Sequence, residues 1–319
     1  MLPITRSLAD PVALTDWVGQ RYPRLLATRC RLQRFGFHDT YRIEGEAGTF
    51  FLRLYAPDRR DPADIGYELD LVEHLAQRGV GAARALLDRD GQRLHRLVLP
   101  EGERFAVIFE QAPGESLRGI PDESDCRRFG AAIADLHAAS DDFDAHTVHA
   151  RPVRDLRFLL DGPLGYLETH ALDLVDLSAL RRDADAVRSR LEPHLQQLDV
   201  GVVHMDAHVG NYAVTDATLT FFDFDFAGTG FRIVDLLEPH YHAIERGNPA
   251  LWQAAVDAYR SRRRLSDLDV LMSDVLLAAM LMWALEINLH RGRSIGLEFA
   301  DLPRRVKRFH RAVQRLSQL

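Results

Sequence analysis

The chain has 319 residues, 46% of them apolar, so it can bury a sizeable core and is long enough for two lobes. A formal net charge of −7 excludes non-specific nucleic-acid binding by the surface as a whole. Two cysteines, Cys30 and Cys126, cannot build a disulfide framework, and the longest apolar run, Val275 to Leu285, is too short to span a bilayer; the expectation is a cytoplasmic protein with no signal peptide and no membrane partner.

In chain order, Ala9 to Leu26 reads as an amphipathic helix interrupted near Pro23. From Cys30 the period changes, and Cys30–Phe37, Thr40–Glu44 and Thr49–Tyr55 are predicted as three antiparallel strands. A helix follows, with Asp61 as N-cap, Pro62 in its first turn and Gly79 beyond its end. Its apolar stripe is Ile65, Leu69, Val72, Leu75 and Ala76, and Glu68 falls inside that stripe. A carboxylate on a core-facing stripe is costly unless paired. Alternation puts Phe51, Arg53 and Tyr55 on one strand face, which makes Arg53 the simplest partner; the bland alternative is a Glu at the stripe edge and an Arg on an edge strand. Leu94–Leu99 and Arg104–Phe109 form the next expected hairpin, ending in Glu110-Gln111-Ala112-Pro113-Gly114, where strand gives way abruptly to turn residues.

Beyond that point the pattern is mostly helical. Ser124 to Ala139 is a strong amphipathic helix with His137 near its end, read as a capping or core histidine. Ser140 to His170 reads as an irregular segment, followed by a helix over Leu177–Leu198. Three short strands, Gly201–Val203, Tyr212–Val214 and Leu219–Phe222, carry polar groups at their ends: Asp206, Asn211, Asp223 and Asp225. Strands need no carboxylates there, whereas phosphoryl transfer from a nucleotide does: one carboxylate accepts the hydroxyl proton, and an Asn and an Asp hold magnesium against phosphates. A further helix begins near Ile233 with Asp235, and Pro249–Arg264, Asp267–His290 and Leu302–Leu316 complete the chain. The last of these sets Arg304, Arg305, Lys307, Arg308 and Arg311 opposite Val306, Phe309 and Val313, a solvated basic face.

His204-x-Asp206-x-x-x-x-Asn211, followed by a strand and Asp223-x-Asp225, resembles the signature of the aminoglycoside phosphotransferase and choline kinase family, a branch of the protein-kinase-like fold. The substrate segment looks closest to the bacterial stress-response kinases. Met205 stands where the phosphotransferases usually have Gly. The resemblance implies an α+β, two-lobed kinase-like fold, with residues 1–111 as the nucleotide-binding lobe and 112–319 as the catalytic and substrate lobe. It implies ATP and Mg2+ as cofactors, Asp206 as catalytic base, and Asn211 and Asp223 as metal ligands. His204, Asp225 and Asp235 become supporting residues, and Asp235 anchors the catalytic loop. Arg53, held by Glu68, would grip the phosphates. Lys307 is the only lysine, so any phosphate-gripping cation in the N-terminal half must be arginine. Gly36 lies where such folds bend a loop over the triphosphate, although a plain hairpin turn reads equally well. Main chain at Phe109, Glu110 and Ala112 would read adenine. His208, beside the base, has no assigned role.

The activity so implied is transfer of the γ-phosphate to a hydroxyl, in a small metabolite or antibiotic. Alternatives are a Ser/Thr protein kinase and a nucleotide-binding pseudokinase; the joint presence of Asp206, Asn211 and Asp223 opposes the last. The basic last helix opposes a polycationic aminoglycoside. A choline-like ammonium would want an aromatic cage, for which Trp252, Tyr259, Trp283, Phe231 and Tyr241 are the candidates.

Overall fold

The computed structural model describes residues 2, 4–57, 59–117, 119–144, 151–171 and 173–317. By packing, the chain divides into two compact units: residues 1–116, 143–150 and 212–225 in the first, and 117–142, 151–211 and 226–319 in the second.

The first unit is built on a five-stranded antiparallel sheet, β1 (Ala27–Phe35), β2 (Asp39–Gly45), β3 (Gly48–Leu54), β4 (His95–Leu99) and β5 (Gly102–Glu110), in the spatial order β1-β2-β3-β5-β4. Alternation along β3 sends Leu52 and Leu54 into a core with Leu14 and Val18 of α1 (Pro11–Arg21). Tyr55 and Val107 pack instead with Ile65 and Leu69 of α2 (Pro62–Gln77). The sheet therefore has an apolar cover on each face. Asp10 and Asp61 cap the two helices, each followed by Pro in the first turn. The expected helix over Ala9–Leu26 stops at Arg21; Pro23 opens a separate 3-10 turn, and Leu26 turns left-handed at φ 48° to lead into β1. A hairpin of β7 (Tyr212–Val214) and β8 (Leu219–Phe221) completes this unit, bridged to Ala82 through Phe221 and to Glu115 through Val214.

The second unit is mostly helical. α3 (Glu123–Ala139) starts with a capping box between Asp122 and Asp125 and packs on α7 (Pro249–Arg260) so closely that a Cβ on Gly130 would meet the Ala255 carbonyl at 2.2 Å. The segment expected to be irregular is helical in its second half: a π-turn at Arg157–Asp161 runs into α4 (Gly162–His170). The polar residues and two glycines around Leu159, Leu160 and Leu167 hide that short stripe; residues 145–150 of the segment lie outside the described residues. α5 (Leu177–Leu191) ends seven residues early, because Pro193 lacks the N–H an α-helix would use and the chain tightens into a 3-10 turn. β6 (Val200–Val203) pairs antiparallel with β9 (Gly228–Phe231). α6 (Leu237–Arg246) follows. The helix expected over Asp267–His290 is two, α8 (Asp267–Leu271) and α9 (Ser273–Ile295); the Ser273 hydroxyl donates to the Asp269 carbonyl at 3.4 Å at the break. α10 (Leu302–Leu316) closes the chain. Among the described residues no helix is long and apolar enough to cross a membrane. The expected α+β class, an antiparallel sheet with helix followed by a mainly helical remainder, is what the chain adopts.

Candidate active site

In the first unit, Arg53 sits on the α2 side of β3. Its Nη1 donates to Glu68 Oε1 at 2.7 Å and its Nη2 to Asp223 Oδ1 at 2.8 Å. The Tyr55 hydroxyl donates to the other Glu68 oxygen at 2.9 Å. Glu68 is thus the stripe carboxylate with its partners supplied, and the strand–helix ion pair expected from its position is present. Burial opposes the Arg53 charge, but Asp223 and Glu68 outweigh it and hold the guanidinium well above the ordinary arginine range. Its Cζ lies 5.0 Å from the centre of the Phe109 ring. Asp223 itself is strained, at φ 68°, and its side chain keeps 30% of its surface exposed.

Two residues later, Asp225 is buried at 2% exposure. Arg60 grips it as a fork: Nε donates to Oδ1 at 2.8 Å, and Nη2 to Oδ2 at 3.2 Å and to the main-chain carbonyl at 2.9 Å. Arg59, lying 4.0 Å over the Phe37 ring, is 3.8 Å away. His38 Nδ1 accepts the Ala56 N–H, so the ring proton sits on Nε2, 3.2 Å from Asp225. Burial keeps His38 below its ordinary pKa; burial works against the Asp225 charge too, but Arg60 and Arg59, with the Nε2–H of His38 turned to it, hold that carboxyl well below the usual range. Asp225 is therefore an anchor tying the β1–β2 turn and the β3–α2 connection to the end of the β7–β8 hairpin.

That β1–β2 turn contains Gly36, whose carbonyl accepts from Arg6 Nη1 at 2.8 Å. Arg6 also pairs with Asp39, which takes a 2.7 Å bond from the fully buried Arg104. A Cβ on Gly36 would meet only ordinary contacts, so the turn does not itself demand glycine. At the end of β5, Phe109 pairs with Phe51 and Glu110 with Phe50; the Glu110 N–H goes to the Arg84 carbonyl at 2.8 Å, and Ala112 is buried with Ala83 and Ala213.

In the second unit the loop His204–Asn211 leaves β6. Asp206 accepts from Asn211 Nδ2 at 2.7 Å, and the same amino group donates to the Asp206 carbonyl at 2.9 Å. The Asp206 side chain remains 31% exposed, with His208 Nε2 3.6 Å from Oδ1. The fully buried His204 accepts the Asp206 N–H on Nδ1 at 3.3 Å. Beneath the loop, Asp235 receives the N–H of His204 on Oδ2 and of Met205 on Oδ1, both at 2.7 Å. His137 bridges Asp235, 3.0 Å from Nε2, to the Tyr259 hydroxyl, 2.9 Å from Nδ1; burial keeps His137 below its usual pKa despite the carboxylate. Met205 adopts φ 73°, the region glycine enters without penalty. The strain of about 1–2 kcal/mol is offset by its buried side chain, worth about 1.5–3 kcal/mol. α6 adds Glu238, which accepts the Val209 N–H at 3.3 Å.

Sequence reasoning missed Arg60, Arg59 and His38 around Asp225, Tyr55 behind Glu68, and the His137–Tyr259 pair behind Asp235. An Arg-Arg pair just before a capped helix was the only visible signal for the first group. Among the described residues, four of the five cage candidates pack elsewhere: Trp252 on His240, Tyr259 on His137, Trp283 on Phe226 and Tyr241 under Arg308. Among the described residues no three or more His, Cys, Asp or Glu gather as an all-protein metal cage. Magnesium held against nucleotide phosphates needs only one or two protein oxygens, and Asn211, with its amino group turned to Asp206, and Asp223 supply oxygens of that kind.

Comparison with known proteins agrees with this chemistry. A Deinococcus radiodurans protein of uncharacterized role is 33% identical over 94% of this chain and 88% of its own. A homoserine kinase from a Methylobacterium species is 32% identical over 70% of this chain and 68% of its own. An amicoumacin kinase, solved in complex with AMP-PNP, Ca2+ and Ami, superposes with a TM-score of 0.75 at 19% identity, over 94% of this chain and 93% of that one. The pattern of the phosphotransferase enzyme family matches residues 33–271, and the chain belongs to that family.

Proposed function

We propose that the protein is an ATP- and magnesium-dependent kinase that transfers the γ-phosphoryl group to the hydroxyl of a small molecule. The observation that carries this is Asp206: a part-exposed carboxylate fixed by Asn211 and by a loop whose backbone is bonded to buried Asp235. In a largely dissociative transfer the base chiefly positions the nucleophile and accepts its proton late. A carboxylate held by Asn211, with His208 3.6 Å away, but open to solvent suits that task. Asn211 and Asp223 would hold magnesium, which supplies charge neutralisation on the phosphates. Arg53, always charged and oriented by Glu68, would take the place of the phosphate-binding lysine, with residues 1–111 serving the nucleotide and 112–319 the acceptor. With the Glu110 N–H bonded to Arg84, adenine recognition falls to the main chain around Ala112. The homoserine and amicoumacin kinases among the similar proteins favour a small-molecule acceptor over a protein.

The test is ADP release against a panel of hydroxylated small molecules and a general protein substrate, for wild type and Asp223→Ala. The expected result is turnover of a small molecule, abolished in the variant along with tight Mg-nucleotide binding. Unchanged ADP production by folded Asp223→Ala would overturn the metal assignment, and turnover of the protein substrate alone would overturn the acceptor class.

A further inference from the structure

The second unit carries a concentration of positive charge that the reaction as described leaves unused. α10 holds six cations, Arg304, Arg305, Lys307, Arg308, Arg311 and Arg315, and no carboxylate. Helical spacing puts Arg304, Arg308, Arg311 and Arg315 on one stripe at i, i+4, i+7 and i+11. Arg304 reaches Asp301 at 3.9 Å, and Arg305 gives its Nε to the Ala300 carbonyl at 3.0 Å. Among the described residues no carboxylate lies within 4.0 Å of Arg305, Arg308 or Arg311. Arg308 is half-buried all the same, its guanidinium 5.1 Å from the centre of the Tyr241 ring. Holding a partly desolvated cation without a counter-ion is costly, and an arginine stacked on an aromatic face is presented for planar, bidentate contact with an oxyanion.

The position of this cluster connects it to Asp206. Tyr241 lies one turn along α6 from Glu238, the residue that accepts the Val209 N–H in the catalytic loop, and His242, also one turn on, approaches the same Glu238 oxygen at 3.3 Å. Loop, α6 and α10 are therefore linked by contacts within one unit: Val209 to Glu238, then Tyr241, then Arg308.

We propose that Arg308, with Arg304 and Arg305 beside it, recognises an anionic group, a carboxylate or a phosphate, on the acceptor whose hydroxyl Asp206 activates. The inference rests on the kinase reading and deepens it: the acceptor is a hydroxy acid, a hydroxy amino acid or a hydroxylated phosphate ester rather than a polycation. The electrostatics agree. Burial, and then Arg308, Arg291 and Arg304 close by, pull Arg305 below the ordinary arginine value against the opposing Asp301. Glu238 and Glu245 face Tyr241 as well, but Glu238 is held by the loop and by His242.

The experiment has two readouts. In the first, ADP release is measured with L-homoserine and its carboxamide, and with glycerol 3-phosphate and glycerol, for wild type, Arg308→Gln and Arg308→Lys. The charged member of a pair is expected to be preferred, and Arg308→Gln to lower its kcat/KM about ten- to a hundredfold more than that of the neutral partner, the worth of one charge-assisted hydrogen bond. Arg308→Lys is expected to restore part of that loss. Whichever pair responds separates carboxylate from phosphate as the recognised group. Preference for the neutral member, for 1-aminopropan-2-ol or for kanamycin, or an Arg308→Gln enzyme that keeps the charged preference, overturns the proposal and leaves the kinase reading standing. The second readout needs no turnover: citrate and inorganic phosphate are titrated calorimetrically into wild type and variant, both saturated with a non-hydrolysable ATP analogue. Binding weakened about tenfold or more in Arg308→Gln supports the site, and equal affinity overturns it. Should Arg308→Gln fail to fold, Arg304→Gln takes its place, since that side chain is 75% exposed. A folded wild type that releases no ADP with any acceptor would sink the kinase reading, while the titration would still decide this one.

Discussion

Two aspartates, Asp225 and Asp235, are equally buried and are satisfied in opposite ways. Asp225, in the first unit, is neutralised by full charges: a bidentate Arg60, with Arg59 and the neutral His38 close by. Asp235, in the second, is held by two backbone N–H groups and the neutral His137. Each supports a part-exposed aspartate nearby in sequence or space, Asp223 in one case and Asp206 in the other. The difference teaches what each anchor can tolerate. An ionic anchor fixes side chains from distant segments and fails badly when half of it is removed. A backbone-donor anchor fixes the path of one loop, and an amide can partly replace it.

The largest effect is therefore expected at Asp225. Asp225→Asn leaves Arg60 and Arg59 without their carboxylate, and a broken buried pair costs about 3–5 kcal/mol. Chemical denaturation should show it, and a loss under about 1 kcal/mol would mean that solvent already screens the cluster. Asp235→Asn keeps one acceptor oxygen and sets an amide NH2 against one of the two loop N–H groups. About 1–3 kcal/mol is expected there, the price of one buried unpaired donor. A larger loss at Asp235 than at Asp225 would reverse the comparison.

A smaller effect comes with pH. The folded pKa of His137 lies below its unfolded value, so the folded state binds fewer protons on acidification. Its contribution to stability is complete above the unfolded value of about 6.5 and is lost as the pH falls below it, at about 1.4 kcal/mol per pH unit until the folded value is reached. His38 has the same sign. Stability of wild type should fall between pH 7 and 5, and His137→Gln should flatten the slope by about one histidine's share. An unchanged slope in the variant would show that His137 does not titrate between the two states.

These contrasts also show why some of the molecule could be read from its sequence and some could not. The sheet, α2 and the Arg53–Glu68 pair were legible because each is a local periodicity: alternation on β3, an apolar stripe on α2, and one carboxylate out of place on that stripe. The spacing from His204 to Asp225 stood out because it sets Asp206, Asn211, Asp223 and Asp225 at strand ends, where a strand has no need of them. The partners of Asp225 were not, because Arg60 is 165 residues away in sequence and nothing local marks an arginine as a long-range counter-ion. His137 read as a capping or core histidine, and its bond to Asp235 spans 98 residues. The split between α8 and α9 and the early end of α5 turned on a side-chain hydroxyl and a single proline, below the resolution of a periodicity argument.

The central claim is that Asp206 positions and deprotonates the acceptor while Asn211 and Asp223 hold the metal. Asp206→Asn keeps the shape and an acceptor oxygen and removes the charge. Single-turnover transfer from ATP, measured beside calorimetric ATP binding with magnesium, tests the claim directly. Transfer is expected to fall by roughly two to four orders of magnitude with ATP affinity nearly unchanged. Near-normal transfer with tight binding would contradict the base assignment, and joint loss of binding and transfer would place Asp206 among the metal ligands instead.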